Sequence, residues 1–258
     1  MKVFKWMGAA AVATLILMTS CLGGGDNTLT RRGFAVGGLS KTYKPIVYTN
    51  MGQLHSPSLT TTDGGCYVVN YDIDFNAPEN ENAMVNQYYV AAVTVLDEIS
   101  KGRFNAYQTD TTKLMPNEIV LKNIGASPDY GVYVGGHLFL LNSVDMVKDQ
   151  KNDYVVYWDR SVEPVKGENE FNVYSLFLRA SKVVEGTGTT VATSTDIRAF
   201  NMSEIIKSVE KAEKGKGSKG FALKINYLTN INQKDSSDLK WNSIKIPFMV
   251  DNTQTPQK

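Results

Sequence analysis

From residue 66 to 75 the chain reads CYVVNYDIDF, and apolar and polar positions alternate: Tyr67, Val69, Tyr71, Ile73 and Phe75 share one face, Asn70, Asp72 and Asp74 the other. A period of two marks a half-buried strand, and Asp63-Gly64-Gly65 just before it is a turn signal. After the polar loop APENENAM, the β-branched and aromatic run QYYVAAVTVL reads as the antiparallel partner. A shorter strand is expected over 43–49, with Pro45 arguing for a sheet edge. The pattern restarts at 130–142, 152–159, 171–180, 220–228 and 243–250, with polar turns between. That spacing suits an antiparallel sandwich or barrel and not alternating βα units.

Helical periodicity appears once, in SEIIKSVEKAEKG. Ile205, Ile206, Val209 and Ala212 form its apolar stripe, Asn201 with Glu204 resembles a capping box, and Gly215 can close it. No internal repeat of fixed period is present. A polar stretch with a proline, TDTTKLMPNE, separates two blocks of strands.

Composition narrows the function classes. The 258 residues are 42% hydrophobic and 10% aromatic, an ordinary globular content that suffices for one large or two medium domains. Removing Lys2 and Lys5 with the leader described next leaves 25 basic and 26 acidic residues, a net charge of −1. Neither a nucleic-acid footprint nor a polybasic membrane patch is compatible with that balance. The two cysteines, Cys21 and Cys66, exclude a disulfide framework.

The leader carries the clearest address. Residues 1–20 follow the secretory recipe of positive Lys2 and Lys5, the apolar core GAAAVATLILM, and small Thr19 and Ser20. The apolar run stops on Cys21, followed by flexible LGGGDN. This resembles the lipobox of bacterial lipoproteins, with Met18 where Leu is usual. The resemblance implies cleavage before Cys21 and its acylation. Each buried methylene of the acyl chains contributes roughly 0.8 kcal/mol, so several chains together hold the protein in a leaflet. Residues 21–32 then read as a tether. In some outer-membrane lipoproteins of the Bacteroidota an acidic cluster after the cysteine marks the cell surface; here only Asp26 answers to it, so both the surface and the periplasmic face are compatible with the leader.

Two further stretches resemble the NigD-like lipoproteins of the Bacteroidota. DGGCYVVNYDIDF followed by NQYYVAAVTVLDEI is similar to the glycine-led strand pair of that family's N-terminal OB-type barrel. YVGGHLFLLNSVDM followed by VYSLFLRASK is similar to the opening strand and the L-x-L-R strand of its C-terminal β-sandwich. The chain departs from the family where Gly23, Gly24 and Gly25 replace a run of aspartates, and where Ala180 rather than histidine follows Arg179. The resemblance implies a non-enzymatic envelope protein, encoded in some members beside bacteriocin genes.

Candidate chemistry is sparse. His55 and His137 are the only imidazoles and sit in no zinc motif; His137, in an apolar strand after Gly135-Gly136, reads as structural. No G-x-S-x-G elbow is present, and Cys66 reads as a small buried apolar residue. GFAVGGLSKT lacks phosphate-loop spacing, and the Asp72-x-Asp74-x-Asn76 run departs from a calcium loop at Ala77 and Ala83. Lys211, Lys214, Lys216 and Lys219 read as a solvated cluster. Asp110-Thr111-Thr112 matches a short O-glycosylation pattern of Bacteroidota envelope proteins, making Thr111 a candidate acceptor. Trp158 and Trp241 are candidate ligand-contact aromatics, since aromatic faces stack on sugars, although core packing is their commoner use.

The expectation is therefore an all-β protein: an OB-like β-barrel over 33–112, then an antiparallel β-sandwich with one short helix over 113–250 and a polar tail at 251–258. It is expected to be an outer-membrane lipoprotein without cofactor, metal or catalysis. Its expected role is an interaction module, immunity-type in one form, that contacts an envelope protein. The alternative is a glycan-binding component of a surface complex.

Overall fold

The structure, a computed structural model, describes residues 27–167, 171–231 and 238–250. The leader, Cys21 and most of the expected tether and tail lie outside the described residues. The chain divides into two compact units, 27–101 with 127–139, and 102–126 with 140–250. The expected boundary at 112 falls inside the second unit, and a later segment returns to the first.

The first unit is a six-stranded sheet of β1 (Thr28–Leu39), β2 (Pro45–Thr49), β3 (Gly52–His55), β4 (Cys66–Asp74), β5 (Tyr89–Val90) and β6 (Ala92–Glu98), in the order β5-β3-β2-β1-β4-β6. The run QYYVAAVTVL thus supplies both edges. Tyr89 and Val90 pair parallel with Leu54 and His55, and β6 pairs antiparallel with β4. Only Ala91 separates the two edge strands, and its N–H donates to His55 O at 2.9 Å. This handover curls the sheet toward an OB-like barrel. The inward residues of the alternating strand, Val69, Tyr71 and Ile73, are at most 1% exposed and pack with Ala35, Val47 and Leu54. Each such buried aliphatic side chain stabilises the fold by roughly 1.5–3 kcal/mol.

Three expectations for this unit need correction. Pro45 is not on an edge strand, because β2 lies between β1 and β3; it is the first residue of β2, where its missing N–H is tolerated. The tether stops short of residue 32, since β1 already begins at Thr28 and pairs with β4 from there. The loop after β4 contains a 3-10 turn, Pro78–Asn80, and a short helix α1, Ala83–Asn86, so the long helix is not alone.

The second unit contains β7 (Arg103–Asn105), β8 (Glu118–Ile119) and β9 (Asn123–Gly125). After β10 (Tyr133–Val134), in the first unit, come β11 (His137–Met146), β12 (Lys151–Tyr157), β13 (Val165–Lys166), β14 (Asn172–Val184), β15 (Ala192–Asn201), α2 (Ser203–Gly215), β16 (Gly220–Ile231) and β17 (Leu239–Met249). Its larger sheet runs β17-β16-β14-β12-β7, while β11 pairs with β9 and β15 in another. The layers are not purely antiparallel. β14 and β16 are parallel because the crossover between them passes through β15 and α2, and β12 and β7 are parallel too. The β10–β11 turn is made by Gly135 and Gly136, at φ +52 and +83, the two left-handed positions of a tight hairpin.

Helix α2 buries Ile205, Ile206 and Val209, but the fourth inward position is Glu213 at 0% exposure; Ala212 faces outward. Met202 occupies the N-cap, and Asn201 Oδ1 accepts from Ser203 N and Oγ without a reciprocal bond from Glu204. Gly215 is the last helical residue, and the left-handed reversal falls on Gly217 at φ +71.

Candidate functional site

In the first unit, an open groove of about 610 Å³ lies where the ends of β3 and β4 meet the β5–β6 handover. Its apolar lining comes from Ala77, Val90, Ala91 and Ala92, with Ile73 next to them although its side chain is packed into the core. Strand alternation sets Ile73 inward at 1% exposure and leaves Asp72 and Asp74 exposed on either side of it. These two carboxylates and Glu79 also line the groove, and among the described residues no Lys, Arg or His does. Thr30 Oγ1 donates to Asp72 Oδ1 at 2.5 Å, and Asp74 Oδ1 accepts from Asn76 N at 2.9 Å. Each of these two carboxylates is held through one oxygen, Oδ1.

Asn80 fixes one wall. Its side chain, 6% exposed in total, donates from Nδ2 to Asp74 O (2.7 Å) and Val90 O (3.0 Å), while Oδ1 accepts from Val90 N (2.7 Å). One amide thus joins the end of β4 to β5, and the 3-10 turn that begins at Pro78 carries Glu79 to the groove. Sequence reasoning read this segment as a polar loop; the only local signal was Pro78 opening a turn.

The candidate residues from the sequence lie elsewhere. Trp158 is 7% exposed, with its ring edge-on to Tyr174 and the Arg160 guanidinium 5.4 Å from its centroid. Trp241 is half-buried, edge-on to Phe177, with Arg179 5.7 Å over its ring. The structure brings Trp241 and Thr111 together, since Trp241 Nε1 donates to Thr111 O at 3.2 Å. Thr111 is half-buried, and Asp110 beside it forms a turn by accepting from Thr112 N and Oγ1. Those bonds hold the Asp110 carboxyl below its usual value.

His55 Nδ1 lies 2.8 Å from Pro45 O, and its ring packs against Tyr88. His137 is 6% exposed, and burial pushes its pKa down despite the Gly135 carbonyl 3.2 Å away. Burial raises the Cys66 thiol to about 11, which keeps it in the thiol form. Among the described residues no group of three or more His, Cys, Asp or Glu side chains is placed to hold a metal ion, and no helix is long and apolar enough to cross a membrane.

The second unit contains buried charge of another kind. Arg179 and Glu118 side chains are 2% and 1% exposed. Arg179 donates to Glu118 through Nε at 2.6 Å and Nη2 at 2.5 Å, to Thr109 Oγ1 and Asp110 O through Nη1, and to Lys113 O through Nη2. The guanidinium fork is saturated, so the segment read as an interdomain break is clamped onto β14. Glu213 is the second saturated centre, accepting from Asn172 Nδ2 (2.9 and 2.8 Å), Tyr174 Oη (2.6 Å) and Lys216 Nζ (2.9 Å). Burial works to raise its pKa, but these donors outweigh burial and hold the carboxyl below its ordinary value.

Residues 25–97, which contain the groove, match the family of the Lipoprotein OB domain. A solved structure of an uncharacterized protein from Parabacteroides merdae superposes with a TM-score of 0.74 at 23% identity, over 85% of this chain and 99% of that one. That likeness shows a shared fold. A NigD-like immunity protein from Bacteroides caccae is a further structural neighbour, with a TM-score of 0.43 and 10% identity over 86% of this chain and 97% of that one. None of the curated proteins matches the chain. The chain is thus all-β, with an N-terminal segment similar to the OB domain of lipoproteins.

Proposed function

We propose that the protein is an acylated lipoprotein held at the outer membrane through Cys21, where it acts as a non-catalytic binding module of immunity type that docks another envelope protein. The observation that carries this reading is the groove. It combines apolar and oriented polar groups, the usual make-up of a recognition site, yet among the described residues its lining has carboxylates and hydroxyls without an imidazole or amine. The histidines are tied to backbone carbonyls and packing and are not among the residues lining the groove, although His55 directly precedes Ser56 of the lining. The lipoprotein OB match is consistent with the envelope address. For the glycan alternative, both candidate tryptophans are already engaged by protein rings and guanidinium groups, which favours the protein partner.

In-cell crosslinking of the lipidated, C-terminally tagged protein tests this function. One dominant envelope protein is expected; repeated recovery of none, across crosslinker lengths, would overturn it. The anchor has its own test, since Cys21→Ala or globomycin is expected to leave unprocessed precursor, and normal processing of Cys21→Ala would remove the anchor. Thr111 is the proposed O-glycosylation site, and intact mass before and after Thr111→Ala reads it directly.

A further inference from the structure

Resting on the docking role just proposed, we infer that the groove of the first unit receives a lysine- or arginine-bearing segment of the partner protein. The lining carries three carboxylates, Asp72, Asp74 and Glu79, and among the described residues no basic one to neutralise them. Asp72 and Asp74 are two apart on one strand, so they stand roughly 7 Å from each other along the same face. Beside them the lining is aliphatic, with Ala77, half-buried Val90, buried Ala91 and exposed Ala92.

This is the complement of a long basic side chain, whose methylene stem covers apolar surface while its cationic head reaches polar groups at the edge. An anionic occupant would meet the carboxylates head-on, and a purely apolar one would desolvate them without compensation. Exposed Ser58, whose hydroxyl is bonded to that of buried Ser56 at 3.2 Å, adds a neutral hydrogen-bonding group to the lining. The walls are preformed, with Asn80 bridging β4 and β5 and Ala91 N–H bonded to His55 O, so docking requires little ordering of the site.

The test uses the acylated protein in detergent, titrated by NMR with acetyl-Ala-Lys-Ala-amide, acetyl-Ala-Glu-Ala-amide and spermidine. The lysine peptide is expected to shift the amides of Ile73, Val90, Ala91 and Ala92, the glutamate peptide to leave them in place, and Asp72→Asn/Asp74→Asn/Glu79→Gln to weaken the lysine peptide at least tenfold. Equal shifts from both peptides, no shifts from either, or shifts confined to other residues would overturn the inference. Shifts from spermidine alone would replace the protein segment with a small polycation and overturn it too.

Crosslinking of the same triple variant in cells separates this claim from the one beneath it. Loss of the partner captured by the wild type supports the groove. Undiminished capture overturns the groove while the docking role stands, and absence of any partner from the wild type removes the docking role itself.

Discussion

The carboxylates of the two units live in opposite circumstances. In the first unit Asp72, Asp74 and Glu79 are exposed around an apolar groove, and Asp72 and Asp74 are each held through one oxygen. In the second, Glu118 and Glu213 have side chains 1% and 0% exposed and are surrounded by donors. The contrast follows from desolvation. A buried charge is tolerated only when its hydrogen-bonding capacity is met by the fold, so Glu118 and Glu213 are consumed in holding structure. Exposed charges beside an apolar lining bear no such constraint and remain available to a partner. A third group of residues lies between these limits. Asn142 Oδ1 and Arg198 Nε are buried without a hydrogen-bond partner, although Arg198 pairs with Asp196 and lies 5.0 Å over the Tyr154 ring.

The comparison breaks most visibly at the Arg179 clamp. Arg179→Ala strands Glu118 in the interior and releases the carbonyls of Asp110 and Lys113, so a loss of about 3–5 kcal/mol is expected in chemical denaturation. Arg179→Lys is expected to recover little, because an ammonium does not reproduce the fork. A loss within experimental error for Arg179→Ala would show the clamp to be dispensable.

A smaller effect is expected at Glu213. Tyr174→Phe removes the 2.6 Å donor and is expected to cost about 1–3 kcal/mol. The pH dependence follows from the depressed pKa. Because the folded value lies below the unfolded one, Glu213 contributes stability that is fully present above the ordinary glutamate range and lost as the pH falls through the folded pKa. Wild-type Tm is therefore expected to fall more steeply below pH 4.5 than that of Glu213→Gln; parallel curves would contradict it.

The smallest change is expected at the groove carboxylates. Asp72→Asn/Asp74→Asn/Glu79→Gln alters exposed charges only and is expected to leave stability within about 0.5 kcal/mol of wild type by thermal melting.

The same contrast explains what could be read in advance. The alternating strand at 66–74 and the helix at 203–215 were legible because their patterns are local. β1 was hidden by its glycines: a Cβ at Gly37 would sit 2.2 Å from Thr62 O and one at Gly38 2.5 Å from the Tyr48 ring, so close packing imposed a composition that resembles a loop. β15, rich in Thr and Ser and mostly exposed, offered no alternation. Glu213 broke the helical stripe because its partners come from β14, far along the chain. The groove joins positions from 28 to 92, and Asn80 closes it through bonds that no periodicity announces. Arg179 was visible as part of an L-x-L-R strand, but its grip on residues 109–118 was not.

The most direct measurement of the central claim is quantitative in-cell crosslinking of the lipidated protein carrying Asp72→Asn/Asp74→Asn/Glu79→Gln, beside wild type and Lys113→Ala from the exposed clamp loop of the second unit. The groove variant is expected to lose at least nine-tenths of the partner recovered by wild type at equal abundance, while Lys113→Ala retains it. Retention by the groove variant, or loss by Lys113→Ala alone, would contradict the assignment of recognition to the groove.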